Sequence, residues 1–162
     1  MALEHEYPLS PTDLFGTVTD LDYLRARHAR FGGVGTPEVE SGDYLVVVRG
    51  SRQLPVDKIP SAARPFLGDG IIVQEDVWTL PDDDDGPVTA TWQAHVGGAP
   101  AKLGGEHRIE AVESGSLYTI TADVSIRVPL LGSRLEQQVS GYLDLLISKE
   151  LEYLADWIAE HR

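Results

Sequence analysis

Hydrophobic and polar positions change period three times along the chain. Residues Ala2 to Leu9 alternate, with Leu3, His5 and Tyr7 on one side and Glu4 and Glu6 on the other, which is the period of a half-buried strand and turns His5 inward. Ser10-Pro11-Thr12-Asp13 then supplies a capping serine, a proline at the first helical position and an acidic first turn, predicting a short helix to about Thr19. Asp20 caps a second helix whose Leu21, Leu24, His28 and Phe31 share a face, and Gly32-Gly33 ends it. From Gly35 to Pro129 the period becomes strand-like, with turn signals about every ten residues, as in an antiparallel meander. The predicted strands are Thr36 to Val39, Tyr44 to Gln53, Ile71 to Leu80, Val88 to Val96, Leu103 to Val112 and Leu117 to Val128. Pro55 to Gly70 breaks that rhythm with Pro55, Pro60 and Pro65 and a helical turn at Ser61 to Phe66, a length that suits a functional loop or lid.

The third change returns to a helical period, which runs to the C-terminus. No proline follows Pro129, and a helix from about Arg134 to about Glu160 is ~40 Å long, enough to cross a small domain. On a wheel of 100° per residue, Leu135, Val139, Tyr142, Leu143, Leu146, Tyr153, Leu154 and Trp157 fall in a band of roughly 120°, an apolar stripe with Glu150 near its centre. The order is strand, two helices, about six strands, long helix, with neither a fixed repeat nor a linker. That predicts one α+β domain over residues 1–162, in which a curled antiparallel sheet of six to seven strands wraps the long helix on its concave face.

Composition narrows the function more than the fold. With 162 residues the chain can bury a core without staples, and its lack of cysteine excludes disulfides and thiolate metal sites. A net charge of -13 argues against nucleic acid and anionic membranes. Arg25, Arg27 and Arg30 are the local exception, read as a solvated face that complements the helix dipole. The acidic start Met-Ala-Leu-Glu-His-Glu lacks the basic and apolar parts of a signal peptide, and no apolar run reaches transmembrane length. A cytoplasmic protein without stable membrane insertion is expected.

The inward-facing polar residues are few: His5 in the first strand, Glu75 in Ile71-Val73-Glu75-Val77, His107 in Leu103-Gly105-His107-Ile109, and Glu150 on the long helix. Two acids and two histidines can satisfy one another as buried pairs, or they can orient the polar end of a ligand in an apolar pocket. A one-residue shift of register would return any of them to water. Trp78, Trp92 and Trp157 read as core, with Trp92 and Trp157 on faces that border an interior space. Asp82 to Asp85 has the look of a calcium loop, but an EF-hand starting at Asp82 would place Gly86 and Gln93 where it needs an oxygen ligand and a glutamate; a solvated hairpin tip is the better reading. Hydrolase elbow, phosphate loop and zinc-protease signatures are missing, and Phe31-Gly32-Gly33-Val34-Gly35 ends a helix rather than opening one. No cofactor and no metal is expected.

The strand Leu3 to Leu9, the helix pair starting at Ser10-Pro11 and Asp20, the meander and the long helix after Val128-Pro129 together resemble the helix-grip fold of the START and birch-pollen-allergen-like superfamily, SRPBCC. The resemblance covers essentially the whole chain. His5-Glu6-Tyr7 before Ser10-Pro11, the Phe31-Gly32-Gly33 helix end and the Val128-Pro129 to Gly132 junction are similar to an uncharacterised actinobacterial branch, and the abundance of arginine over lysine hints at a GC-rich genome. The resemblance implies a cavity between sheet and helix, used in that superfamily for lipids, sterols, polyketides or plant hormones. The residues assigned to it here are His5, Tyr7, Glu75, Trp92, His107, Tyr142, Leu146, Glu150 and Trp157, as ligand-binding and none as catalytic. A non-enzymatic binder of a hydrophobic or amphipathic molecule is the favoured reading. A polyketide cyclase or aromatase on the same fold, and a protein-binding adaptor without a ligand, are the alternatives.

Overall fold

The computed structural model of the chain describes residues 1–59, 61–81 and 86–161. Strand β1 (Ala2–Tyr7) opens it. Ser10 Oγ accepts from the Asp13 amide and Pro11 takes the first helical position, so α1 (Pro11–Val18) begins where the sequence caps it. The Tyr23 amide donates to Asp20 at the start of α2 (Leu21–Arg30), and Gly32, at φ 77°, leads the chain out of that helix in a conformation that suits glycine.

The meander follows as β2 (Gly33–Ser41), β3 (Leu45–Gln53), β4 (Ile71–Thr79), β5 (Val88–Val96), β6 (Ala101–Val112), β7 (Gly115–Thr121) and β8 (Asp123–Ile126). Every pairing is antiparallel, in the order β1-β7-β6-β5-β4-β3-β2, with β8 also on β6. The described residues thus form eight strands where the sequence predicted six to seven. The additional strand arises because the predicted Leu117 to Val128 segment is interrupted at Ala122: β7 pairs with 107–112 of β6, and β8 with 101–104. At the break the Trp92 indole donates to the Thr121 carbonyl at 2.9 Å and the Glu106 amide to Thr121 Oγ1 at 2.9 Å. Gly105 lies so close to that carbonyl that a Cβ would collide with it. Such a bend curls a sheet.

The long helix α3 (Gly132–His161) lies against this sheet. It is tied at its start by the Ile126 amide donating to Glu136 Oε1, and near its middle by the Tyr7 hydroxyl donating to the Leu151 carbonyl at 2.7 Å. The residues it buries are Leu135, Ile147, Leu151, Leu154 and Ile158. Through its middle and end, the core-facing direction is rotated by about 90° from the predicted stripe at 100° per residue. Leu146, Glu150 and Trp157 therefore flank the buried seam instead of forming it.

The register of β4 also differs from the expectation. Asp76 and Trp78 are buried while Val73 and Glu75 are exposed, so the inward set is Ile72, Gln74, Asp76 and Trp78. Both faces of this strand carry branched apolar residues, and alternation alone does not distinguish them. Glu75 is on the outer face, where Arg49 Nε donates to it at 2.8 Å.

The segment between β3 and β4 contains 3-10 turns at Val56–Lys58 and Ser61–Phe66. It is pinned at its end: the Leu54 amide donates to the Gly70 carbonyl, the Asp69 amide to the Gly97 carbonyl, and Gly68 packs so closely on Gly97 that a side chain would collide. The Asp82 to Asp85 run lies outside the described residues.

Candidate functional site: a two-chambered cavity between sheet, loop and long helix

The pinned segment, the sheet and α3 enclose an outer chamber of about 340 Å³. Its walls are almost wholly apolar, from Ile59, Phe66 and Leu67 of the segment to Val124 and Ile126 of β8 and Val139, Leu143 and Leu146 of α3. An inner chamber of about 70 Å³ shares Arg52, Ile72, Leu103, Leu143 and Leu146 with it and lies deeper against Trp92, His107 and Tyr118. Elsewhere Phe31, Gln53, Pro55 and Tyr142 border both the outer chamber and an open surface groove. The groove adjoins the outer chamber, and the inner chamber adjoins it on the side of Arg52, Ile72 and Leu103.

Charge is concentrated at the inner chamber, which Arg27, Arg52 and Glu150 line. Arg52 Nη1 stands 2.8 Å from Glu150 Oε1, the two side chains being 18% and 16% exposed. The contact is an ion pair without hydrogen-bond alignment, and Glu150 Oε1 is otherwise buried and unpartnered. The Arg27 guanidinium sits 5.8 Å above the Tyr23 ring. Burial works against its charge, but Glu150, Tyr23 and Asp76 more than offset this and push its pKa up. Burial also raises the Tyr23 hydroxyl to about 12, against the opposing pull of Arg27.

Behind the inner chamber, Asp76, His107 and Tyr118 form a buried series. The Tyr118 hydroxyl lies 2.8 Å from His107 Nδ1, and His107 Nε2 lies 3.6 Å from Asp76 Oδ2, too far for a hydrogen bond but close enough for electrostatic attraction. The ring of Trp78 stacks on the imidazole with centroids 5.1 Å apart, fixing its plane. The Gln74 amide donates to Asp76 Oδ1 at 2.9 Å. Burial alone would raise the Asp76 carboxyl; the facing His107, the Gln74 donor and nearby Arg27 hold it below the usual range instead. Burial pushes the Tyr118 hydroxyl well above its ordinary value, with Asp76 acting in the same sense.

Of the nine residues assigned from sequence, the structure brings Trp92, His107, Tyr142, Leu146 and Glu150 to one cavity. Trp157 lines the outside groove and stacks on His161 at 3.7 Å. Tyr7 is in the core, its hydroxyl spent on the helix, and His5 stacks on Tyr7 at 4.5 Å while donating to the Glu6 carbonyl. Neither borders the cavity. Glu75 is on the opposite face of the sheet, so its place in the site is taken by its neighbours.

Sequence reasoning missed Arg27, Arg52, Gln74, Asp76 and Tyr118. Arg27 is not part of a solvated face, although Arg25 and Arg30 are exposed. A signal for it existed: at 100° per residue it falls between Tyr23 and Leu24, the two buried residues of α2. Asp76 and Gln74 were lost with the register of β4.

This architecture defines the class: the chain has the helix-grip fold of the SRPBCC superfamily. Residues 2–158 match the family described as Protein of unknown function (DUF2505), and the chain belongs to that family. Among solved structures it is similar to a protein from Thermus thermophilus, at 13% identity and a TM-score of 0.66, covering 99% of this chain and 97% of that one. The Zhui aromatase/cyclase from a Streptomyces species is 13% identical with a TM-score of 0.59, over 96% and 92% of the two chains. Ara h 8.0201 is 15% identical with a TM-score of 0.52, over 96% and 97%. At these identities the likeness is one of fold. No curated protein shows a significant sequence match. Among the described residues, no helix is long and apolar enough to cross a membrane.

Proposed function

We propose that the chain binds a small hydrophobic or amphipathic molecule, with its apolar body in the outer chamber and its polar end in the inner one. The observation that carries this reading is an apolar chamber of about 340 Å³ that closes on a buried group of charged side chains. Pockets that orient a small molecule combine such walls with a few placed polar groups. The test is titration with a fluorescent fatty acid or sterol analogue, on the parent and on Leu146→Trp. Leu146 borders both chambers, so the larger ring should abolish binding while leaving the thermal midpoint near that of the parent. Equal binding by a folded Leu146→Trp, or no binding of any probe by the parent, would count against the cavity.

A second reading, an aromatase- or cyclase-like enzyme, has its own support in the Asp76, His107 and Tyr118 series. A histidine held by a tyrosine on one nitrogen and facing a carboxylate and a cavity with the other can move a proton. On that reading His107→Gln would abolish turnover of a polyketide-like substrate yet retain its binding. The adaptor reading has least support, because the interior holds a cavity.

A further inference from the structure

Two buried atoms at the inner chamber constrain what can be bound there, although one of them, Glu150 Oε1, has Arg52 Nη1 2.8 Å away as an ion-pair partner. His107 Nε2 and Glu150 Oε1 are buried without hydrogen-bond partners among the described residues, and both residues border the same inner chamber. They differ in what they need. The Tyr118 hydroxyl has His107 Nδ1 as its hydrogen-bond partner, so it donates there rather than strand a buried donor. The ring proton is then on Nε2, where the facing Asp76 carboxylate also favours it. His107 offers a donor, and Glu150 offers an acceptor.

The charges at this chamber are already balanced. Arg27, Arg52 and Glu150 line the chamber and Asp76 lies behind it beside His107, two charges of each sign. An added carboxylate or ammonium would leave one uncompensated charge in a buried chamber, which is costly. The volume of about 70 Å³ admits only a small group.

We infer that the molecule bound in this cavity ends in a small uncharged head that both accepts and donates, a hydroxyl, phenol or primary amide, held between His107 Nε2–H and Glu150 Oε1. This rests on the cavity-binding function proposed above. It excludes fatty acids and other anions as the preferred class, although two arginines line the chamber.

The experiment is displacement of a bound fluorescent probe by dodecanol, dodecanamide, dodecanoic acid and dodecylamine at neutral pH, all below their aggregation concentrations. The tail is constant, so the order of affinities reads the head. The alcohol and amide should bind at least about tenfold more tightly than the acid and the amine. On Glu150→Gln, which leaves Arg52 uncompensated, the acid should gain about tenfold on the alcohol. An acid that equals or exceeds the alcohol on the parent overturns the inference while leaving the cavity reading standing. If none of the four displaces the probe, or no probe binds, the cavity reading itself fails. Should Glu150→Gln not fold, the four affinities on the parent alone still decide the matter. A folded Glu150→Gln with an unchanged order refutes the charge-balance argument.

Discussion

Arg52 and Glu150 meet at 2.8 Å with less than a fifth of either side chain exposed, so removing one partner strands the other. Breaking a fully buried pair costs about 3–5 kcal/mol, and the residual exposure lowers this to about 2 kcal/mol. Glu150→Leu should therefore be destabilised by about 2 kcal/mol in urea unfolding, and Arg52→Leu combined with Glu150→Leu should recover most of that loss. A double variant as unstable as the sum of the singles would show that the two do not interact. Asp76 makes a second prediction, through pH. Its carboxyl is held below the ordinary value of 3.8 in the folded state, so its contribution is complete above that value and is lost as pH falls through the lower folded one. Asp76→Asn should be less stable than the parent at neutral pH, with the gap narrowing below about pH 4. Urea midpoints across pH measure it, and a gap independent of pH would mean that Asp76 acts by packing alone.

On α3 the seam facing the core and the flank facing the cavity carry similar leucines and isoleucines, which makes the helix a direct test of the architecture. Ile147 is 6% exposed in the core seam, whereas Leu146, its neighbour, borders both chambers. Ile147→Ala should cost about 2–4 kcal/mol, because a closed core cannot refill the space. Leu146→Ala only enlarges a cavity that already exists, and should cost less than about 1.5 kcal/mol while altering probe affinity. Urea unfolding of both proteins decides between this phase and the stripe read from the sequence, which would have made Leu146 the costlier loss.

For the whole molecule, α3 holds the fold together because it covers much of the inward face of the sheet, alongside Leu14 and Val18 of α1 and Tyr23 and Leu24 of α2, which share the same core. Tyr7 is anchored to its backbone, β8 to its first turn, and Leu135, Ile147, Leu151, Leu154 and Ile158 are buried on it. Each such side chain contributes about 1.5–3 kcal/mol, together comparable to the entire stability of an ordinary domain. Truncation after Gly132 should leave unfolded or aggregated protein, and the full chain should unfold in one cooperative transition. A soluble truncated protein with a sharp thermal melt would refute this.

Local signals fixed much of this molecule before any long-range contact was known. Ser10-Pro11 and Asp20 placed the starts of α1 and α2 through their own capping bonds, the spacing of turns gave the meander, and the proline-rich break marked the segment that walls the cavity. His107 and Glu150 were legible as polar residues in apolar patterns. Their partners were not, because Asp76 and Arg52 come from strands whose two faces carry apolar residues alike and Arg27 was grouped with exposed arginines. Which face of β4 turns inward was decided by its pairing with β3 and β5, where Trp78 meets Val46 and Ala90 across the ladder. The phase of α3 was decided likewise, by where Tyr7 and the curled sheet receive it. A period specifies that one face is buried, but when two faces are nearly equal in hydrophobicity, only packing against the rest of the chain selects between them.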